Sequence, residues 1–235
     1  MTKDEVMEAL EAFGNPGTKK VLGNHGYREP FFGVKVGDMK KLQKKIKKDY
    51  ALSLELWDTG NADAMYFAGL IADEKQMTRE NLQKWANEAY CYSLAEYTVA
   101  WITSESDHGF DLGMQWIESD EALIATAGWS TLASLASITP DEELDFDTYS
   151  ALLERAEKEV HTAPNRVRYV MNGFIIAVGA YMADLTEKAM EIGQRVGKVE
   201  VFMGKTACKV PLAAPYIQKI VDKGRVGKKR KMARC

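Results

Sequence analysis

The 235-residue chain has few of the residues that build disulfide frameworks and metal sites. Its three cysteines, Cys91, Cys208 and Cys235, and its three histidines are scattered along the chain, and no CxxC spacing occurs. An odd number of isolated cysteines predicts neither a disulfide framework nor a zinc site. We therefore expect a protein that binds no metal.

Long apolar runs are also missing. The first residues lack the apolar core of a signal peptide, and no later stretch approaches the roughly 18 to 20 uncharged apolar residues of a membrane span. We therefore expect no membrane association, and the cytoplasm is the predicted compartment.

Alternating runs of β-branched residues, which would predict strands, are nearly absent. Apolar residues recur at helical spacing, and 46% of the side chains are hydrophobic, which is enough for one large core or a continuous repeat array. The sequence therefore predicts an all-α fold. The helices are expected at residues 3–13, 38–48, 51–57, 62–72, 79–90, 91–103, 110–117, 121–138, 146–160, 164–182, 185–196 and 213–223.

The rhythm of these helices is typical of HEAT-like helical repeats stacked in a curved α-solenoid. Residues 1–212 are expected to form the repeat domain, and residues 213–235 a terminal helix and basic tail of the same domain. Between the first two helices we expect a loop through Gly33. Asp38 is the expected cap of the second helix, and the segment Thr139–Glu142 reads as a capping box with Pro140 at the first helical position.

The formal net charge of −3 conceals a strong segregation of charge along the chain. Residues 16–50 contain 10 basic and 3 acidic side chains, and residues 191–235 contain 12 and 3. The remainder contains 9 basic and 28 acidic side chains. If the two basic segments fold onto one face, that face attracts a polyanion although the whole chain is acidic.

Two lysine-rich clusters and one aromatic–acidic pair are the candidate functional residues. The clusters suit contacts with the phosphates of double-stranded or structured DNA, although a solvated helix face and a disordered tail are the competing interpretations. Tyr92 and Glu96 are four residues apart and therefore share one face of a predicted helix. The clusters comprise Lys40, Lys41, Lys44 and Lys45 in the first basic segment, and Lys228, Lys229 and Arg230 in the tail.

Several segments of the chain resemble AlkD-type DNA alkylation-repair proteins, which belong to the HEAT-like repeat DNA glycosylase superfamily. Residues 32–42 read FGVKVGDMKKL, residues 56–58 read LWD and residues 68–73 read AGLIAD. The likeness continues through residues 116–120, and the stretch from Lys205 to the carboxyl end resembles one branch of the family. The resemblance implies HEAT-like repeats, a positively charged concave DNA groove and glycosylase chemistry on purines alkylated at N3 or N7.

Such chemistry needs few catalytic groups, because the alkylated base carries a positive charge and leaves easily. A carboxylate and electron-rich aromatic faces suffice to stabilise an oxocarbenium-like sugar and to place water on it. The resemblance implies no cofactor.

By the resemblance, two family tryptophans fall on Tyr92 and Phe174, and the family aspartate falls on Glu96. A phosphate-facing arginine falls on Thr126, and Arg166 and Arg168 are candidates to replace its contact. All of these residue types differ from the family's, and a displacement of about 1 Å can cost on the order of a hundredfold in rate.

Three hypotheses therefore stand. The first is a DNA-binding HEAT-like repeat protein of the DNA repair family whose glycosylase activity is weakened or lost. The second is an active alkylpurine glycosylase that uses Glu96 with Tyr92 and Phe174. The third is a protein-binding helical scaffold whose charged ends are incidental.

Overall fold

A computed structural model describes residues 1–234, and these residues form helices and no strands. The predicted all-α fold is confirmed. The α-helices are α1 Lys3–Ala12, α2 Pro16–Asn24, α3 Val36–Ile46, α4 Tyr50–Trp57, α5 Ala62–Ile71, α6 Arg79–Glu88, α7 Ala100–Glu105, α8 Gly109–Trp116, α9 Ala122–Ile138, α10 Phe146–Glu159, α11 Asn165–Tyr181, α12 Thr186–Val196 and α13 Ala213–Asp222.

The helices pack in two rows. The inner row consists of α5, α7, α9 and α11. Helix α5 contacts residues 94–99, which lead into α7, and α9 contacts both α7 and α11, while α3 packs against α5 at one end and α13 against α11 at the other. The outer row consists of α4, α6, α8, α10 and α12, which cover the inner helices. This alternation of inner and outer helices is the arrangement that a stack of helical pairs produces.

The space between the rows is filled by two hydrophobic clusters. In the first, Trp57 and Trp85 are stacked with their ring centroids 4.3 Å apart. In the second, Phe174 lies between Trp129 and Tyr149. The two rows lie very close together at Gly128, where an added Cβ would lie 2.7 Å from the Ile117 backbone nitrogen. Glycine is therefore required there for α9 to reach α8.

Three predictions about where helices begin were wrong, and in two of them another side chain caps the helix. The expected loop before Gly33 contains α2, since the Asn15 side chain accepts a hydrogen bond from the Thr18 amide at 2.9 Å. Helix α3 begins before Asp38, which lies in its first turn. No helix is capped at Thr139, because Asp145 caps α10 and a 3₁₀ turn, Asp141–Glu143, intervenes.

The helix predicted at residues 91–103 is interrupted by a π-helical segment, Leu94–Val99, that leads into α7. A π-helical turn holds an extra residue and is frequently found at functional sites. Glu96 lies within this segment and Tyr92 just before it. The segment also packs closely on α5, since a Cβ at Gly69 would lie 2.4 Å from the Thr98 side chain.

The carboxyl-terminal tail crosses the carboxyl ends of the inner helices. The Gly227 amide donates to the Ala180 carbonyl of α11 at 2.9 Å, and the Arg230 amide donates to the Ser137 carbonyl of α9 at 2.7 Å. Arg234 Nη1 donates to the Ala72 carbonyl that follows α5, at 2.9 Å. Terminal carbonyls of a helix have no partner within it and carry partial negative charge, so a basic segment is well suited to cover them.

Neither a metal-binding cluster nor a membrane-spanning helix is found within residues 1–234. No group of three or more His, Cys, Asp or Glu side chains is placed to hold a metal ion. No single helix is long and apolar enough to cross a bilayer. One pair of helices, Asn165–Tyr181 and Ala183–Val196, has the required length and composition when the two are taken together, but the pair is sharply bent. Cys235 lies outside the described residues.

Candidate nucleic-acid interface

The Arg166 guanidinium joins the aromatic and acidic residues that the sequence analysis singled out. Arg166 Nε donates to Glu96 Oε2 at 2.9 Å, and Nη2 donates to the same oxygen. The guanidinium carbon lies 3.9 Å from the ring centroid of Tyr92 and 4.0 Å from that of Tyr169. Tyr92 and Glu96 are thus brought together through a residue 70 positions away in the chain.

The Glu96 carboxylate is buried and bound by Arg166. Burial raises the pKa of Glu96 above its ordinary value, and the charge and hydrogen bonds of Arg166 oppose that shift. With side-chain exposures of 7% for Glu96 and 12% for Arg166, the two charges neutralise each other away from solvent. A carboxylate held in this way cannot approach a sugar unless Arg166 first moves.

A cavity of about 330 Å³ opens beside this ion pair. It is formed where α9 and α11 begin, together with the end of α2 and residues 202–204. The Tyr92 hydroxyl hydrogen-bonds His25 Nδ1, and burial raises the pKa of Tyr92 to about 12, so the hydroxyl remains protonated at neutral pH. The wall includes Asn24, His25, Tyr90, Tyr92, Arg166 and Phe202.

One face of α11 connects this cavity with a second groove. Arg166, Tyr169, Gly173 and Ile176 follow one another at helical spacing and are all partly exposed. Gly173 and Ile176 line a groove of about 500 Å³ between α11 and α13. The groove also contains Tyr216, Lys219, Lys223 and Arg225.

Four cations of the outer row are paired with acids on, or just after, neighbouring outer helices. The pairs follow one another along the row. Because protein carboxylates already neutralise these cations, they are poorly suited to bind phosphates. The pairs are Lys84 with Asp58, Arg155 with Glu118, Lys188 with Glu154 and Arg195 with Glu157.

A second set of cations has no protein partner within residues 1–234 and lies on α13, on the tail and on α3. We call this set the basic rim. It begins on α13, continues along the tail and ends on α3, where Lys44 and Lys47 share a cavity of about 300 Å³ with Met232 and Arg234 of the tail. The two basic segments of the sequence therefore meet in space. The basic rim comprises Lys40, Lys44, Lys45, Lys47, Lys219, Lys223, Arg225, Lys228 and Lys231.

Other cations proposed from the sequence are held by the protein. Lys41 forms an ion pair with Asp38 at 2.7 Å but is well exposed. Arg168 Nε donates to the Ala163 carbonyl at 2.6 Å. Lys229 is bound to Asp141 and to the Ala136 carbonyl, and Arg230 Nη2 donates to the Ala233 carbonyl.

The sequence model of a family described as DNA alkylation repair enzyme matches residues 6–210. The chain belongs to the DNA alkylation repair enzyme family. Two relatives, the uncharacterized proteins Lin0241 of Listeria innocua and Lmo0209 of Listeria monocytogenes, are each 38% identical over 225 residues, which is 93% of this chain and 97% of theirs.

A solved structure confirms the HEAT-like architecture. It is described as belonging to a new family of proteins related to the HEAT-like repeat DNA glycosylases with affinity for branched DNA structures. The two folds superpose with a TM-score of 0.92 at 41% identity, and the match covers 100% of both chains. The predicted curved α-solenoid is therefore the fold of this family member.

Two positions that the alkylation-repair resemblance assigned to catalysis and phosphate contact lie inside the protein. Phe174 is fully buried in the second hydrophobic cluster. Thr126 is also fully buried, and its hydroxyl donates to the Ala122 carbonyl at 2.7 Å. Neither side chain reaches the surface that carries Tyr92 and Arg166.

Several residues of the candidate interface were not singled out from the sequence. Lys219 and Lys223 are four apart on a helix that was predicted, and this spacing could have indicated a basic face. Tyr169 follows Arg166 by three residues, so a shared face was also foreseeable. No local signal indicates that His25 contacts Tyr92, because 67 residues separate them.

Proposed function

We propose that this protein binds branched DNA along its inner row of helices and does not hydrolyse N-glycosidic bonds. The observation that carries the proposal is the basic rim, whose cations have no protein partners among the described residues. In a HEAT-like stack one helix of each pair lines the concave side, which is where an extended partner lies. The cytoplasm stays the predicted compartment.

The distribution of charge supports DNA rather than a protein as the partner. Helix α9, in the middle of the inner row, contains no charged residue, while the tail that carries part of the basic rim crosses its carboxyl-terminal end. Lysines that are not committed to protein carboxylates are suited to neutralise phosphates, and they read no sequence. The affinity of the superposable relative for branched DNA agrees with this arrangement.

The state of Glu96 supports binding without catalysis. Its carboxylate would have to stabilise positive charge on the sugar, but Arg166 already neutralises it. The second aromatic group that the resemblance implies, Phe174, is buried in the core. The proposed function therefore needs no cofactor and no reacting group.

A fluorescence-anisotropy titration tests the binding. Labelled three-way junctions and linear duplexes of equal length are compared between about 50 and 200 mM salt. If at least four phosphates are neutralised, log Kd should rise with log salt with a slope of about 3.6 or more. Tighter binding to the junction than to the duplex is expected at every salt concentration. A Kd that does not depend on salt would favour the protein-binding scaffold.

A base-release assay tests the absence of glycosylase activity. DNA carrying N-methylated purines should lose bases at the uncatalysed rate, because the Glu96 carboxylate is held by Arg166. Glu96→Gln should leave this rate unchanged. Release well above the background that disappears in Glu96→Gln would instead establish the active enzyme.

A further inference from the structure

We infer that the cavity beside Tyr92 receives one unpaired base of the branched DNA. This inference rests on the proposed function and extends it, because it names the part of the branch that the protein recognises. The cavity volume of about 330 Å³ lies at the lower end of the range for small-ligand sites, which suits a single planar group.

The charge of the cavity favours a neutral ligand over a phosphate. Arg166 carries the only formal charge among the residues that line the cavity, and its ion pair with Glu96 neutralises that charge. The basic rim follows the opposite ends of the inner helices, so phosphates have a separate and more favourable place to bind. A nucleobase is uncharged and planar, and it does not require a counterion.

The walls provide aromatic surface that is already ordered. Arg166 lies between the rings of Tyr92 and Tyr169, which holds Tyr92 in place. Phe202 is 80% exposed at the cavity wall, and its backbone is fixed by two hydrogen bonds with the Asn165 side chain, at 2.7 and 2.9 Å. An exposed aromatic ring on a fixed backbone is a stacking surface that loses little freedom when a base binds.

A polar group is available for the edge of the base. His25 uses Nδ1 for its bond with the Tyr92 hydroxyl, and its Nε2 has no protein partner within residues 1–234. An imidazole nitrogen donates or accepts according to its tautomer, so it can pair with the edge of a base. The cavity thus combines stacking surface with an edge contact, as sites for unstacked bases do.

The position of the cavity explains why a branch is preferred to a duplex. The exposed face of α11 runs from Arg166 at the cavity to Ile176 in the groove beside Lys219. DNA whose phosphates lie against the basic rim would therefore cross this face. Taking a base from an intact duplex costs pairing and stacking energy, whereas a branch point offers an unpaired base at little cost.

The test compares three labelled three-way junctions by fluorescence anisotropy. One is fully paired, one carries a single unpaired adenine at the branch point, and one carries an abasic residue there instead. The abasic junction keeps the additional phosphate and the flexibility of the branch but lacks the base. We expect the adenine junction to bind about tenfold more tightly than the abasic junction, which is the size of effect expected from stacking one base on aromatic side chains.

Asn24→Met provides an obstructed cavity without adding an aromatic ring. Asn24 is exposed and lines the cavity from the end of α2, so a larger neutral side chain there fills space without changing charge or core packing. The variant should bind the adenine and abasic junctions equally. Asn87→Met, at an exposed position on the outer helix α6, is the matched control and should keep the tenfold difference. Thermal melting verifies that both variants are folded.

The outcomes separate this inference from the proposed function. Equal affinity for the adenine and abasic junctions, together with weaker binding of linear duplex, would overturn the base site and leave branched-DNA binding intact. A tenfold difference that persists in Asn24→Met would also overturn it. Absence of affinity for every junction would defeat both proposals.

Discussion

Replacing Arg234 with alanine is expected to lower the free energy of unfolding by about 3 to 5 kcal/mol, because it removes one partner of a buried charge cluster. Arg234 is 8% exposed and lies 2.6 Å from both Glu74 and Glu105, which are 13% and 10% exposed. Without the guanidinium, two carboxylates would remain close together and largely shielded from water. Urea denaturation of the full chain measures the loss.

The cluster of Arg234, Glu74 and Glu105 also predicts how the stability of the protein depends on pH. Burial raises the pKa of Glu74, but hydrogen bonds and charge from Lys48 and Arg234 outweigh it, so the net pKa is lowered from 4.5. A lowered pKa in the folded state stabilises the protein above the unfolded pKa, and that contribution is lost as the pH falls through the folded value. Arg234→Ala lacks part of this contribution, and protonation relieves the repulsion between its two shielded carboxylates. The variant should therefore lose less stability than the wild type as the pH falls through the acidic range.

Lys231→Ala is the matched control for Arg234→Ala. Lys231 lies three residues away in the same tail and is exposed, with no protein partner among the described residues. Its replacement should change the free energy of unfolding by less than about 0.5 kcal/mol. If Arg234→Ala also changed the free energy of unfolding by less than about 0.5 kcal/mol, the contacts of the tail with the inner helices would not stabilise the fold.

The sequence could not predict which cations of the tail are bound by the protein itself. The basic residues of the tail are evident in the sequence, and from them we predicted DNA contacts for Lys228, Lys229 and Arg230. Whether a cation faces solvent or the carbonyl end of a helix depends on the packing of helices that are distant in sequence. Lys229 is bound by the carboxyl end of α9, whereas its neighbour Lys228 has no protein partner within residues 1–234.

Helices were easier to predict than the site. Helix α9 was expected at residues 121–138 and occupies Ala122–Ile138, because its apolar periodicity and its Pro-containing exit are local signals. Spacing also placed Tyr92 and Glu96 on one face, but it could not reveal that Arg166 would neutralise the carboxylate. A buried ion pair across 70 residues has no local signature, and the proposal of DNA binding without catalysis rests on this pair.

Reversing two charges of the basic rim should have the largest effect on DNA affinity. Lys219→Glu with Lys223→Glu places two carboxylates in the groove between α11 and α13. We expect Kd for a three-way junction to rise on the order of a hundredfold at about 100 mM salt, because two phosphate contacts become repulsive. The slope of log Kd against log salt should fall by about 2, since each lost contact removes about one released counterion.

Lys3→Glu with Lys158→Glu is the control that separates local contact from net charge. Both lysines are exposed, lie on α1 and the outer helix α10, and change the net charge by the same amount as the rim variant. Screening at 100 mM salt limits the reach of exposed charges to about 10 Å, so this variant should bind within a few-fold of the wild type. Equal losses in the two variants would mean that DNA senses only total charge, and the basic rim would then not be the binding surface.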